Sequence, residues 1–447
     1  MSMRRLWIVT AVALLAAACG SAEEPAAATA VTSTTETMDT PTTGAPATSV
    51  PFHAGELASM DVPREIPTVS DADIAAVVHG DIAFGLELLR IAAGDENLMI
   101  SPYSIATALS MLYPGARGTT AEEIAAVLHL DVSDETLHHA RNAIDEALTA
   151  EAPPQGPDDT REPFTIRPAN SAWGQGGYRF LDEYLEVLAA NYGAGLRLLD
   201  FRNEPESSRQ TINDWVETAT EDRIEDLIPE GSIDPMTRLV LVNAIWFKAN
   251  WAKQFDPELT TTDPFTLATG EKVDVPMMHG SILTGYTANN RFEAVRLPYA
   301  GDAAMVLALP TAGSLGDLIS SLNAADLDIN WESYQVDISM PSFEFEAEVA
   351  LKDALEELGI VAAFDPSRAD FTGITAVREL FVSDAFHKTF VAVDESGTEA
   401  AAATALVVSL TAAPQPATFA ADQPFLFWIE HTTTGEILFL GQVTDPR

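Results

Sequence analysis

Residues 395–405 read Glu-Ser-Gly-Thr-Glu-Ala-Ala-Ala-Ala-Thr-Ala, and they open a connection between two predicted strands that extends over residues 394–424. At roughly 30 residues, this connection is far longer than an ordinary loop. If it became a strand, its side chains would alternate between two faces. One face would then carry Thr398, Ala400, Ala402, Thr404, Leu406 and Val408. These side chains are uncharged, small at first and apolar later, so the segment is predicted to be able to enter a β-sheet. An alanine-rich linker or surface helix would also fit its composition.

The chain on either side of this connection carries helical signals first and strand signals later. Helices are predicted over residues 70–88, 101–112, 120–128, 133–148, 181–192 and 206–220, several of them preceded by a capping serine or threonine. Residues 238–247 form a nearly continuous apolar run, which is typical of a central strand buried on both faces. Further strands are predicted over residues 304–309, 335–340, 380–393, 425–431 and 436–443. Because helices and strands do not alternate strictly, we expect one large α+β domain.

The composition excludes several classes of partner. The 67 acidic residues against 24 Lys and Arg give a formal net charge of −43 at pH 7. Such a surface repels polyanions, so nucleic-acid binding is excluded and binding to anionic lipid surfaces is disfavoured. The single cysteine, Cys19, leaves no intrachain disulfide and no thiolate zinc cluster.

The N-terminus predicts export. Arg4 and Arg5 precede an apolar run and a small-residue cleavage site, so residues 1–18 are expected to be a signal peptide. Residues 15–19 resemble a bacterial lipobox, which would place a lipid on Cys19, although Leu15 lies one residue further from the cysteine than is usual. Residues 19–69 are rich in Ala, Thr, Ser and Pro and predict a flexible stalk before a domain over residues 70–447. We therefore expect an exported protein on the extracellular face that contacts the membrane only through this lipid. A plain signal peptide with an incidental cysteine is the alternative.

Sequence motifs of catalytic sites are absent. The chain has no Gly-x-Ser-x-Gly, Gly-x-Gly-x-x-Gly, Walker or His-Glu-x-x-His motif. The adjacent His138 and His139 point to different faces of a predicted helix and make a poor metal pair. We therefore expect neither an enzyme nor a bound metal or cofactor.

Three further stretches carry a family resemblance together with the segment at 395–400. Residues 97–105 read Asn-Leu-Met-Ile-Ser-Pro-Tyr-Ser-Ile, residues 241–251 read Leu-Val-Asn-Ala-Ile-Trp-Phe-Lys-Ala-Asn-Trp, and residues 419–429 read Phe-Ala-Ala-Asp-Gln-Pro-Phe-Leu-Phe-Trp-Ile. In this order, the four stretches resemble the serpin family of serine protease inhibitors over the whole chain from residue 70 to residue 447. The segment at 395–400 is similar to the hinge of inhibitory members.

This resemblance implies three β-sheets, eight or nine helices and an exposed reactive-centre loop. It also implies a suicide mechanism, in which a protease attacks one bond of the loop and the cut loop inserts into the main sheet before the acyl-enzyme is hydrolysed. The hinge residues by position are Glu395, Gly397, Thr398, Glu399, Ala400 and Ala402. Polar residues beneath the centre of the main sheet, the shutter, would be Ser101, Ser104, Asn243 and His387. Trp251 would mark the breach, where the loop first enters.

Family spacing from the hinge places the reactive bond at Thr411-Ala412, and a spacing one residue shorter places it at Leu410-Thr411. Neither position offers Arg or Lys, so proteases with a trypsin-like pocket are disfavoured. The implied partner is a serine protease with a small or apolar specificity pocket, of the elastase, chymotrypsin or subtilisin type.

Two other functions remain open at this stage. A non-inhibitory serpin would act as a binding module, although such members usually place charged, bulky or proline residues in the hinge. A solute-binding lipoprotein would share the signal, the cysteine and the stalk, but it predicts a two-lobed α/β domain. We expect the inhibitor to be monomeric.

Overall fold

The computed structural model describes residues 51–150, 164–398 and 414–447. In these ranges the chain forms nine α-helices: α1 (Asp71–Ala92), α2 (Pro102–Leu112), α3 (Gly118–Val127), α4 (Asp134–Thr149), α5 (Asp182–Tyr192), α6 (Pro205–Ala219), α7 (Leu315–Ser321), α8 (Ala324–Leu327) and α9 (Leu351–Leu358). The same ranges contain sixteen β-strands: β1 (Leu57–Ala58), β2 (Leu98–Ile100), β3 (Thr165–Gln175), β4 (Leu196–Leu199), β5 (Leu239–Asn250), β6 (Thr261–Thr266), β7 (Lys272–Ala288), β8 (Phe292–Pro298), β9 (Ala303–Pro310), β10 (Glu332–Pro341), β11 (Phe343–Val349), β12 (Val382–Val393), β13 (Gly397–Thr398), β14 (Gln415–Ala420), β15 (Phe425–His431) and β16 (Ile437–Val443).

Serine side chains begin three of the long helices. Ser70, Ser101 and Ser133 lie at the N-caps of α1, α2 and α4, and each hydroxyl accepts a hydrogen bond of 3.2–3.3 Å from the backbone amide three residues later. Such a bond satisfies an amide that has no partner within the helix and contributes about 1 kcal/mol. The predicted helix starts are therefore confirmed.

A seven-stranded sheet has β5 at its centre, in the order β1-β4-β3-β5-β13-β12-β11. Successive side chains of β5 enter different hydrophobic clusters. Leu241 and Ile245 pack towards α2 and the second sheet, whereas Val240 and Val242 pack towards Ile212 on α6. The strand is thus covered on both faces, as its continuous apolar sequence predicts.

The second sheet has nine strands. Its order is β14-β10-β7-β8-β9-β15-β16-β2, and β6 pairs with β7 beside this path. The resemblance implies three sheets, but the strand pairing of the described residues joins them into two. The reason is the 17-residue strand β7, which pairs with β6 at one end, β10 along its middle and β8 at the other end.

The folded domain begins before residue 70. Residues 51–69, which the sequence analysis includes in the stalk, lie along the domain, and Leu57 and Ala58 pair antiparallel with Arg197 and Leu196 at the sheet edge. The composition of this segment gives no hint of pairing, because its hydrogen bonds to β4 come from the backbone rather than from apolar side chains. The predicted signal peptide (1–18), Cys19 and the rest of the stalk up to residue 50 lie outside the described residues.

The α+β class is confirmed, and the two-lobed α/β arrangement of a solute-binding protein is not observed in the described ranges. None of the helices described is long and apolar enough to cross a membrane.

Candidate functional site

The hinge re-enters the seven-stranded sheet directly after β12. The Asp394 side chain accepts hydrogen bonds from the amides of Ser396 (2.7 Å) and Gly397 (3.1 Å), which reverses the chain direction. Gly397 and Thr398 then form β13, which pairs antiparallel with Val393 on one side and with Ala249 and Asn250 on the other. Two residues near the start of the long connection, Gly397 and Thr398, therefore already lie between β5 and β12.

Beyond β13, the two neighbouring strands β5 and β12 pair directly with each other. From Val382 to Thr389, β12 runs parallel to β5 between Leu239 and Ile245, with one irregularity near Val382. From Thr389 towards Val393, β12 no longer pairs with β5, and β13 lies between the two strands. The sheet thus has an open end that holds the hinge and a closed part that a longer inserted strand would have to separate.

Trp251 holds the hinge backbone at the open end. Its amide donates to the Ser396 carbonyl and its indole Nε1 donates to the Asp394 carbonyl, both at 2.9 Å. The indole ring also stacks on the Tyr299 ring, with centroids 4.4 Å apart and planes inclined by 6°. The Tyr299 hydroxyl in turn lies 2.8 Å from the Thr398 hydroxyl.

Two further hinge residues make contacts that depend on their identity. The Thr260 hydroxyl donates to the Glu395 carboxylate at 2.5 Å, which fixes the turn from outside the sheet. At Gly397, an added Cβ atom would lie 2.1 Å from the Ala249 carbonyl oxygen and 2.8 Å from Asn250 Cα. Only glycine lets the backbones approach this closely.

The shutter residues form one buried hydrogen-bond network in the closed part of the sheet. Asn243 on β5 lies opposite Asn170 on β3 and His387 on β12. The Asn243 side-chain amide donates to the Ser104 hydroxyl (2.8 Å) and to Asn170 Oδ1 (2.9 Å). Three strands are therefore tied to α2 by side chains that are buried, except for Asn170, which is partly exposed.

His387 is neutral in this network. The Ser101 amide donates to His387 Nε2 at 3.1 Å, so the ring proton is on Nδ1, which donates to the Asn243 side-chain oxygen. Burial lowers the pKa of His387 to about 3, and its hydrogen bond at Asn243 offsets only part of that effect. A neutral ring with one donor and one acceptor nitrogen matches both neighbours.

The structure brings together most, but not all, of the residues proposed from the sequence. Glu395, Gly397, Thr398 and Trp251 meet at the open end, and Ser101, Ser104, Asn243 and His387 meet in the closed part. The remaining hinge residues and the reactive-bond candidates lie outside the described residues: Glu399, Ala400, Ala402, Leu410, Thr411 and Ala412.

Sequence reasoning missed two residues of the site. Asn170 accepts from both Ser104 and Asn243, but it lies in a polar, proline-containing stretch that gives little strand signal. Tyr299 follows Pro298 at the end of β8, and the sequence does not reveal its stacking on Trp251. In both cases the signal depends on strand register, which the pattern of one strand does not supply.

Known proteins are similar to this chain in sequence and in fold. A sequence model of the family described as serpin (serine protease inhibitor) matches residues 80–446. An uncharacterized serpin-like protein of Thermococcus kodakarensis is 37% identical over 83% of this chain and 86% of its own length. The human leukocyte elastase inhibitor is 36% identical over 78% of this chain and 93% of its own length.

Among solved structures, the thermophilic serpin tengpin in its native state superimposes with a TM-score of 0.75 at 27% identity, and the match covers 86% of this chain and 97% of tengpin. The family match spans most of the chain, and the hinge, Trp251, Asn243 and His387 lie along one sheet. The chain belongs to the serpin family of serine protease inhibitors.

Proposed function

We propose that this protein inhibits serine-type endopeptidases as a suicide substrate, with loop cleavage followed by insertion of the cut loop between β5 and β12. The observation that carries the proposal is the position of Gly397 and Thr398, which already pair with both strands. Insertion would continue this pairing towards the shutter, with each further residue gaining ladder hydrogen bonds.

Thr398 decides whether the hinge can stay in the sheet. Its side chain is 2% exposed and meets the Tyr299 hydroxyl, so Thr398→Arg would bury a charge without an acidic partner. We expect this variant to be cleaved as a substrate and to trap little or no protease. Thr433→Arg is the matched control, because Thr433 is exposed in the turn between β15 and β16. Ala400→Pro, which would remove a ladder donor, should behave like Thr398→Arg.

The assay is incubation with elastase-, chymotrypsin- and subtilisin-like enzymes, followed by denaturing electrophoresis to detect a covalent adduct. Wild type and Thr433→Arg should give the adduct, and Thr398→Arg should give cleaved protein. If Thr398→Arg forms the adduct as efficiently as wild type, insertion through the hinge is wrong. Cleavage of the wild type by every enzyme without an adduct would instead favour a non-inhibitory binding module.

We propose a target with a small or apolar specificity pocket. The absence of Arg and Lys at residues 410–412 supports this choice, as does the similarity to the human leukocyte elastase inhibitor. Mass spectrometry of the released C-terminal peptide should find an N-terminus at Ala412 or, for the shorter spacing, at Thr411. A peptide that begins elsewhere would contradict both positions.

We also propose that the protein is exported and anchored as a monomer through a lipid on Cys19. Because Cys19 is the single cysteine, Cys19→Ser should abolish incorporation of a labelled fatty acid and release the protein from membranes. Light scattering of the protein without its anchor should give the mass of one chain. Membrane retention of the Cys19→Ser variant would contradict the anchor.

A further inference from the structure

A buried ion pair joins the first and fourth helices. The Arg141 guanidinium on α4 donates to both carboxylate oxygens of Asp81 on α1, and one of these bonds measures 2.6 Å. Arg141 Nε also donates to the Ser110 hydroxyl at 3.1 Å. Asp81 and Arg141 are 1% and 2% exposed, so the pair is removed from water.

Glu436 is a second carboxyl group at this position and has no matching cation. It directly precedes β16 at the end of the turn after β15, and it is completely buried. Neither of its carboxyl oxygens accepts a hydrogen bond from any described residue. The Asp81 carboxylate, which is itself an acceptor, faces Glu436.

These contacts suit only one protonation state of Glu436. A buried carboxylate requires donors, and none is in place, whereas a carboxylic acid requires an acceptor, and Asp81 provides one. Asp81 is the ionised member of the pair because the guanidinium binds it through two hydrogen bonds. We propose that Glu436 carries a proton in the native protein and donates it to Asp81, so that alkaline loss of this proton weakens the packing of the β15–β16 hairpin against α1 and α4.

The surrounding groups support this assignment. Burial raises the pKa of Glu436 well above its usual range, the Asp81 charge raises it further, and Arg141 lowers it. Burial also raises the pKa of Asp81, but Arg141 acts in the opposite direction. Other polar groups around the cluster are the Tyr103 hydroxyl on α2, which contacts Asp145 on α4; the Tyr192 hydroxyl on α5; and the His431 ring on β15, which contacts Thr434.

The proton links stability to pH with a definite sign. Unfolded Glu436 loses its proton near the ordinary glutamate pKa of 4.5, whereas the native protein keeps it to higher pH. Between these two values the native state binds one more proton than the unfolded chain, so rising pH favours unfolding. The unfolding equilibrium constant should increase about tenfold for each pH unit in this window through Glu436 alone. The contribution of Glu436 is complete at acid pH and is lost as pH rises.

Glu436→Gln tests the proposal with little change of shape. Its amide donates to Asp81 at every pH and cannot release a proton. The unfolding equilibrium constants of wild type and Glu436→Gln are measured by urea denaturation from about pH 5 to about pH 9. The ratio of the wild-type constant to that of the variant should rise about tenfold per pH unit until the carboxyl group of native Glu436 titrates. A ratio that is constant with pH would overturn the proposal.

Glu430→Gln is the matched control. Glu430 lies on the same hairpin, but its carboxylate pairs with the Arg296 guanidinium at 2.7 Å. Glu430→Gln should raise the unfolding equilibrium constant by a similar factor at each pH. Infrared difference spectra provide a second measurement: at neutral pH, wild type should show the carbonyl stretch of a protonated carboxyl group that Glu436→Gln lacks. Absence of this band would also overturn the proposal. Neither failure affects loop insertion, which the protease-adduct assay tests separately.

Discussion

Through the His387 side chain, the stability of the closed part of the seven-stranded sheet is expected to depend on pH. Its pKa is lowered to about 3 by burial, whereas the unfolded side chain titrates at 6.5. Below pH 6.5 the unfolded chain binds more protons than the native protein, so stability falls with falling pH by about 1.4 kcal/mol per pH unit through this group. The shutter is therefore expected to weaken in acid, opposite in sign to the expected effect of Glu436.

Replacing His387 by glutamine should remove this acid dependence while lowering stability at neutral pH through the lost hydrogen bonds. From about pH 7.5 to about pH 5, the free energy of unfolding measured by urea denaturation should fall by about 2 kcal/mol more for wild type than for His387→Gln. His53→Gln, at an exposed position, is the control and should lose stability as wild type does. An equal loss in wild type and His387→Gln would contradict the assignment.

Individual helices and strands are predictable from the sequence to the extent that their signals are local. The sequence predicts the helices α1 to α6 nearly to their ends, because apolar spacing lies within each helix and a capping serine precedes α1, α2 and α4. The strand at 238–247 was also predicted, since burial on both faces leaves a continuous apolar run. By contrast, β3 contains Arg167, Pro168 and Asn170, and β7 contains Pro276 and two glycines, which interrupt any strand pattern.

The same difference applies to the site. Ser101, Ser104, Asn243 and His387 could be named from the family resemblance, but their network also requires Asn170, whose place follows from the pairing of β3 with β5. The pairing of residues 57 and 58 with β4 was missed because an edge strand of two residues has no periodicity. Register and edge pairing are properties of two segments at once, and a single segment does not encode them visibly.

The two-residue strand β13 offers a direct test of the hinge. Gly397→Ala would place Cβ against the Ala249 carbonyl, so we expect Gly397 and Thr398 to be displaced, at a cost of about 1–3 kcal/mol for overpacking. The Trp251 amide, which donates to Ser396, should then exchange its hydrogen faster. Gly94→Ala is the control, because its Cβ would meet no atom within 4 Å. Unchanged exchange at Trp251 in Gly397→Ala would contradict the close packing.

The seven-stranded sheet combines a partly inserted hinge with a direct pairing of β5 and β12. The closed pairing is parallel, whereas β13 is antiparallel to both neighbours. An inserted strand would thus replace the parallel pairing of β5 with β12 by two antiparallel pairings. It would nearly double the number of ladder hydrogen bonds between β5 and β12. Antiparallel pairs are also slightly more stable per residue than parallel pairs. The native arrangement is therefore expected to be less stable than the inserted one, and the uncut connection at residues 399–413 to prevent the change.

Cleavage within residues 399–413 should release this constraint and raise the thermal unfolding temperature. With about 0.5–1.5 kcal/mol for each net hydrogen bond, an inserted strand of ordinary length adds several kcal/mol. A domain of this size has an unfolding entropy of about 0.8 kcal/mol/K, so this gain corresponds to a rise of roughly 5–10 °C. The measurement is calorimetry before and after limited digestion by a protease that cuts the loop without being trapped. Thr398→Arg, cut in the same way, should gain much less because its hinge resists insertion. If cut wild type and cut Thr398→Arg unfold at the temperature of the intact protein, the loop does not enter the sheet.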